Sequence, residues 1–230
     1  MKKVGLIGGI GPASTMVYYS EIIKACREIT KDDNYPEILI NSINMTGMLK
    51  LVAANDRKSL VELLSAEIDK LISIGAELIA VASNTPHMVI NELIEKTFVP
   101  VISIVEETCK YAKNLNLKKV LFTGTLFAMS NDFYAKALAQ NGIECIMPDD
   151  NDKEKIHSII FPDLENGIIN EKDKLAFKII CNKIIIERNI DGLILGCTEL
   201  PLMIKHEDFD IAVIDTMDVH IRGIVERMAC

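Results

Sequence analysis

The chain has 230 residues, 49% of them hydrophobic and 25% charged, an ordinary globular mixture with enough apolar material for one large domain or two small lobes. Lys and Arg total 25 against 33 Asp and Glu, a formal charge of −8, which argues against a general electrostatic grip on nucleic acid or an anionic membrane. No apolar run approaches the ~18 residues of a membrane span, and the opening MKKVGLIGGIGP breaks on glycines too soon for a signal peptide and reads as a first strand.

In chain order, the pattern predicts a strand at 4–7 and a helix at 14–29, then a strand at 38–43 and a helix at 58–74. Strands at 78–82 and 101–103 precede a helix at 105–114. A strand at 120–123, a helix at 131–141 and a strand at 144–147 follow. The polar run 148–155 reads as a solvated loop leading into a helix, and the acidic pairs Glu106-Glu107 and Asp149-Asp150 as solvated surface. A helix at 172–189 and strands at 193–195 and 213–214 complete the pattern. Near-continuous Val, Ile and Leu strands separated by helices predict an α/β fold with parallel sheets covered on both faces. The six cysteines form no CxxC pair and lie mostly in apolar segments, so they read as reduced thiols of a cytoplasmic protein, with no disulfide framework and no metal site.

The chain also resembles itself. At an offset of 116, Lys2-Lys3-Val4 meets Lys118-Lys119-Val120, Gly8 meets Gly124, and Tyr18 meets Tyr134. At 114, the segment from Glu77 to Ser83 lines up with that from Asp191 to Cys197, and at 112 Val101-Ile102 meets Val213-Ile214. The matches keep their order while the offset drifts by little. A duplicated unit with a mainly parallel four-stranded sheet follows, giving two similar lobes. Their expected extents are 1–98 with 216–230, and 99–215, with an active site in the cleft between them.

The paired third strands carry the chemistry. One runs into Ser83-Asn84-Thr85-Pro86-His87, the other into Gly196-Cys197-Thr198-Glu199-Leu200. Each presents a hydroxyl or thiol after a buried strand and before a helix start, where unpaired N–H groups can hold a carboxylate. Alone, the serine loop reads first as an ordinary helix cap and Cys197 as an inert buried thiol, and it is their matched positions that favour a site; His87 either orients a neighbour or is locally satisfied. The first loop, Gly8-Gly9-Ile10-Gly11-Pro12, lacks both the dinucleotide fingerprint and a phosphate-loop lysine, so it reads as a tight turn.

Four segments together bring a family into view: Gly5 to Pro12 with Tyr18-Tyr19; Asn84-Thr85-Pro86-His87; Gly124-Thr125 with Asp132-Phe133-Tyr134; and Gly196 to Leu200. On them the chain resembles, over essentially its whole length, the cofactor-independent aspartate/glutamate racemase family. The resemblance implies two α/β lobes, a homodimer, an amino-acid substrate, no pyridoxal phosphate or other cofactor, and no metal. It implies a cysteine in each lobe, the pair moving a proton on and off the substrate α-carbon. The second is Cys197; the first is replaced by Ser83, whose hydroxyl is a far weaker acid than a thiol. Cys197 is then the competent base, and Ser83 returns or relays a proton. Asn84, Thr85 and Thr198, with backbone N–H groups near Ile10, Gly11 and Thr125, are expected to hold the α-carboxylate, and Glu199 to contact substrate. The segment from Phe161 to Gly167 lacks the basic residue that acid-specific members carry, leaving Lys50 or Arg57 as candidate cations. A lyase or isomerase of the same superfamily, or an amino-acid-binding protein without turnover, are the other classes open to this sequence.

Overall fold

Runs such as Val4 to Gly8 or Leu78 to Val81 leave no polar face, so they are stable only where both sides of a sheet are covered. In the computed structural model, which describes residues 1–31 and 35–230, β1 (Val4–Gly8) and β3 (Leu78–Val81) are buried along their whole length. With β2 (Ile38–Ser42) and β4 (Val101–Ile102) they form a parallel sheet in the order β2-β1-β3-β4. The strands β5 (Lys119–Thr123), β6 (Glu144–Ile146), β7 (Gly192–Leu195) and β8 (Ala212–Asp215) repeat that order as β6-β5-β7-β8, again parallel.

The duplication extends to the polar clamps at the strand starts. The Glu77 carboxylate accepts the Lys3 N–H at 2.9 Å, and the Asp191 carboxylate accepts the Lys118 and Lys119 N–H groups at 2.8 and 3.0 Å. Lys3 pairs with Glu37 at 2.6 Å and Lys119 with Glu144 at 2.9 Å, each joining the first strand of a sheet to the second. The matched tyrosines Tyr18 and Tyr134 are both fully buried.

The helices are α1 (Pro12–Thr30), α2 (Met45–Ala53), α3 (Arg57–Ser73), α4 (Ile90–Lys96), α5 (Ile104–Asn114), α6 (Leu126–Ser130), α7 (Phe133–Gln140), α8 (Asp150–Ile160), α9 (Glu171–Arg188), α10 (Leu200–Met203) and α11 (Thr216–Ala229). The chain divides into two compact units, 1–104 with 220–230, and 105–219. Nearly all of α5, which follows β4, therefore belongs to the second unit, and most of α11, which follows β8, belongs to the first. Among the described residues no helix is long and apolar enough to cross a membrane.

Three local expectations need correction. Most of the polar run 148–155 is helical: the Asp149 side chain accepts the Asp152 N–H at 2.9 Å and caps α8, whose first turn carries acids where the helix dipole favours them. Glu107 is buried on α5, with Lys110 3.9 Å away, rather than solvated. The helix expected at 131–141 begins at Phe133, and a separate short helix, α6, precedes it.

Candidate active site

In the first unit the turn after β1 is built by its glycines and Thr15. Gly9 has φ +81°, and a Cβ there would sit 2.6 Å from Ser42 Oγ and 2.7 Å from the Ile43 carbonyl. Thr15 Oγ1 accepts the Gly9 N–H and donates to the Gly11 carbonyl, both at 2.9 Å, while Ser14 Oγ donates to the same carbonyl at 3.0 Å. The N–H groups of Ile10 and Gly11 have no partner among the described residues; they open α1, where an anion is favoured.

At the end of β3, Ser83 is buried and its N–H bonds the Val81 carbonyl at 2.9 Å. Its hydroxyl has no hydrogen-bond partner among the described residues. Asn84 and Thr85 are buried beside it, leading into a 3-10 turn, Thr85–Val89. His87 answers the question left open in the sequence: Nδ1–H donates to the Ser83 carbonyl at 2.8 Å and Nε2 accepts the Ile104 N–H at 3.2 Å. Burial, and then the neighbouring His220, hold its pKa down at about 3. Both ring nitrogens are spent on backbone, so His87 fixes the Ser83 loop and handles no proton.

His220, on α11, does the same for β4. Its Nε2–H donates to the Ile102 carbonyl at 2.9 Å, and Nδ1 accepts the Tyr18 hydroxyl at 2.8 Å. Burial holds its pKa near 4. The second unit repeats the device with Tyr134, which shares a hydrogen bond with Thr108 on α5, the counterpart of His220 at an offset of 112.

In the second unit, β7 ends at Leu195 and the chain turns through Gly196, whose N–H reaches the Thr123 carbonyl at 2.7 Å. Cys197 follows, 6% exposed. Its Sγ–H donates to Glu199 Oε2 at 3.0 Å, and the Thr198 hydroxyl donates to the same oxygen at 2.9 Å. Burial first, then the Glu199 charge and hydrogen bond, push the thiol well above the usual cysteine range; the N–H groups of Glu199 and Leu200 pull the other way and do not prevail. The resting sulfur therefore keeps its proton, and Glu199, expected to contact substrate, is bonded to the thiol. Thr125 caps α6, its Oγ1 accepting the Ala128 N–H at 3.3 Å.

Glu165, in the 3-10 turn Leu164–Asn166, is pushed up by burial and then by the charge of Glu199. Arg57 donates to the Met88 carbonyl at 2.8 Å and to the Glu92 carboxylate, and Lys50 lies exposed on α2. Reading the sequence missed Glu165 and the His220–Tyr18 pair. An acid two positions after Cys197 was the available signal for the thiol's partner.

Comparison with known proteins agrees with this architecture. The profile of the Asp/Glu/Hydantoin racemase family matches residues 7–224. The broad specificity amino-acid racemase RacX of Bacillus subtilis (strain 168) is 27% identical over 219 residues, 93% of this chain and 92% of that protein. The crystal structure of an aspartate racemase homologue from Pyrococcus horikoshii OT3 is 37% identical, with a TM-score of 0.89 and all of both chains covered. The aspartate racemase of Picrophilus torridus shares the fold at 23% identity and a TM-score of 0.77, over 100% of this chain and 95% of that one. With two parallel sheets of one strand order, a serine and a cysteine at matched strand ends, and a family profile spanning nearly all of its length, the chain belongs to the Asp/Glu/Hydantoin racemase family.

Proposed function

We propose that this protein is an amino-acid racemase that inverts the α-carbon of aspartate, glutamate or a related amino acid using its own side chains. Cys197 removes the α-proton, and Ser83 returns one from the other face or holds the water that does. The carboxylate is taken by the N–H groups of Ile10 and Gly11 with Asn84, Thr85 and Thr125. The observation that carries the reading is a buried thiol, already hydrogen-bonded to a proton acceptor, at the end of β7 in a chain of the racemase family. A thiol can leave as thiolate and come back as thiol at a pKa within reach of a carbon acid held in a site, whereas a lone serine hydroxyl cannot serve as the base.

The consequence is lopsided chemistry. In deuterated solvent, one enantiomer of the substrate exchanges its α-hydrogen readily while conversion to the other lags, because Ser83 returns protons poorly. Followed by proton NMR over a panel of acidic and neutral amino acids, Cys197→Ala lowers exchange of both enantiomers by about 100-fold or more, the scale of a general base. Ser83→Cys raises the ratio of conversion to exchange. Full exchange in Cys197→Ala would move the proton chemistry elsewhere. Changed product skeletons or released carbon dioxide would make the protein a lyase.

A further inference from the structure

We propose that Glu199 is the positioning residue that takes the proton of Cys197, so that the base of this site is a thiol–carboxylate pair sharing one proton rather than a standing thiolate. The inference rests on the reading of Cys197 as the base. It starts from geometry: the thiol points at Glu199 Oε2 across 3.0 Å, and among the described residues the sulfur has no other hydrogen-bond acceptor. Glu199 is 7% exposed and has no cation within ion-pair distance among the described residues. A buried carboxylate without a countercharge is costly to keep, and its two hydrogen bonds, from Cys197 and Thr198, are what hold it there. The positive charge that usually activates a cysteine is replaced by an anion, which raises the thiol instead. An anion raises a thiol but can also receive its proton.

The steps balance. The S–H bond breaks and an O–H bond forms on Oε2, turning thiol and carboxylate into thiolate and carboxylic acid with no change in total charge. The thiolate takes the substrate α-hydrogen as a proton; the C–H electron pair stays on carbon and the S–H bond is restored. The carbanion is protonated on its other face from the Ser83 side, and the proton left on Glu199 returns through solvent to the group that gave one up. Substrate gains and loses one proton, and the protein ends as it began. Thr198 donates to the same Oε2 and so keeps the oxygen turned to sulfur; Glu165, pushed up by burial and then by the charge of Glu199, is the other titratable group facing it.

A shared proton has a distinctive pH dependence. The fraction of the pair in the thiolate form is set by an internal equilibrium, so it is flat across neutral pH, whereas a thiol that must lose its proton to water gains thiolate tenfold per pH unit. The test is iodoacetamide labelling of Cys197 in the full-length protein, read by mass spectrometry from pH 6.5 to 8.5 with exposed Cys230 as the reagent reference, together with α-deuterium exchange at each pH. In the wild type, labelling and exchange change by less than about threefold over this range. In Glu199→Gln both rise close to tenfold per pH unit, and Glu199→Asp restores part of the flat profile. A merely structural glutamate would change amplitudes and leave the profile alone. The proposal is overturned if wild-type labelling already rises tenfold per pH unit, or if Glu199→Gln keeps the wild-type profile. Should Glu199→Gln fail to fold, the wild-type profile alone decides. A flat wild-type and steep Glu199→Gln labelling profile, with no exchange of any amino acid, would uphold the pair and remove the racemase reading.

Discussion

Two histidines set how this protein meets acid. His87 and His220 are buried and neutral, held at about 3 and about 4, whereas in the unfolded chain each titrates near 6.5. Between those values the unfolded chain binds two protons that the folded one refuses, so stability present above pH 6.5 is lost as pH falls. Asp215, pushed up to about 6 by burial, works in the opposite direction, because the folded chain takes its proton first. The histidines win by about one proton, close to 1.4 kcal/mol per pH unit of lost stability between about pH 6 and pH 4.5. His220→Gln keeps a donor and an acceptor but cannot titrate there. Urea denaturation across that range is expected to show the slope reduced by about 1.4 kcal/mol per pH unit; an unchanged slope would mean that His220 is charged in the folded protein. Tyr18 was visible in the sequence through its match with Tyr134, but its partner was not, because His220 lies 202 positions away.

The elements that could be read in advance are those whose burial leaves no choice. The fully buried strands β1, β3 and β7 lie where runs of Val, Ile and Leu put them, and the offset of 114 pairs Ser83 with Cys197 at matched strand ends from the sequence alone. What stayed hidden was decided by side-chain caps. The helix α2 carries Gly47 near its start, a poor helix former, and is begun by Asn44, whose side chain accepts the Gly47 N–H at 3.1 Å. The bond from Cys197 to Glu199 depends on how the turn before α10 folds, which no periodicity reports. That turn itself hangs on Gly196. A Cβ there would lie 2.2 Å from the Phe122 ring and 2.8 Å from the Thr123 carbonyl, both fully buried. Gly196→Ala is therefore expected to cost about 1–3 kcal/mol, a drop of roughly 2–12 °C in Tm at this chain length, and to shift Cys197. A melting curve superimposable on the wild type would show that the ring can yield.

At the level of the molecule, each compact unit is finished by the helix that follows the other unit's last strand. For the first unit that helix is α11. It contributes buried Ile221, Ile224, Val225 and Met228, roughly 6–12 kcal/mol of apolar burial in all, which is of the order of a whole domain's net stability. It also brings His220 to Tyr18 and Ile102, and the Met228 carbonyl to the Lys2 N–H at 2.8 Å. A chain ended after Val219 keeps β1 to β4 but is expected to leave residues 1–104 open to protease, with the cut sites mapped by mass spectrometry; resistance equal to the full chain would show that the sheet and its other helices suffice. On the ribosome the same connectivity inverts the usual order of events. The segment made first waits for α11, so residues 105–219 can close while the amino-terminal sheet is still missing that helix. Until α11 has emerged, the hydrogen bonds of His220 to Tyr18 and to the Ile102 carbonyl cannot form, so the amino-terminal unit is completed only after the unit that follows it in the chain.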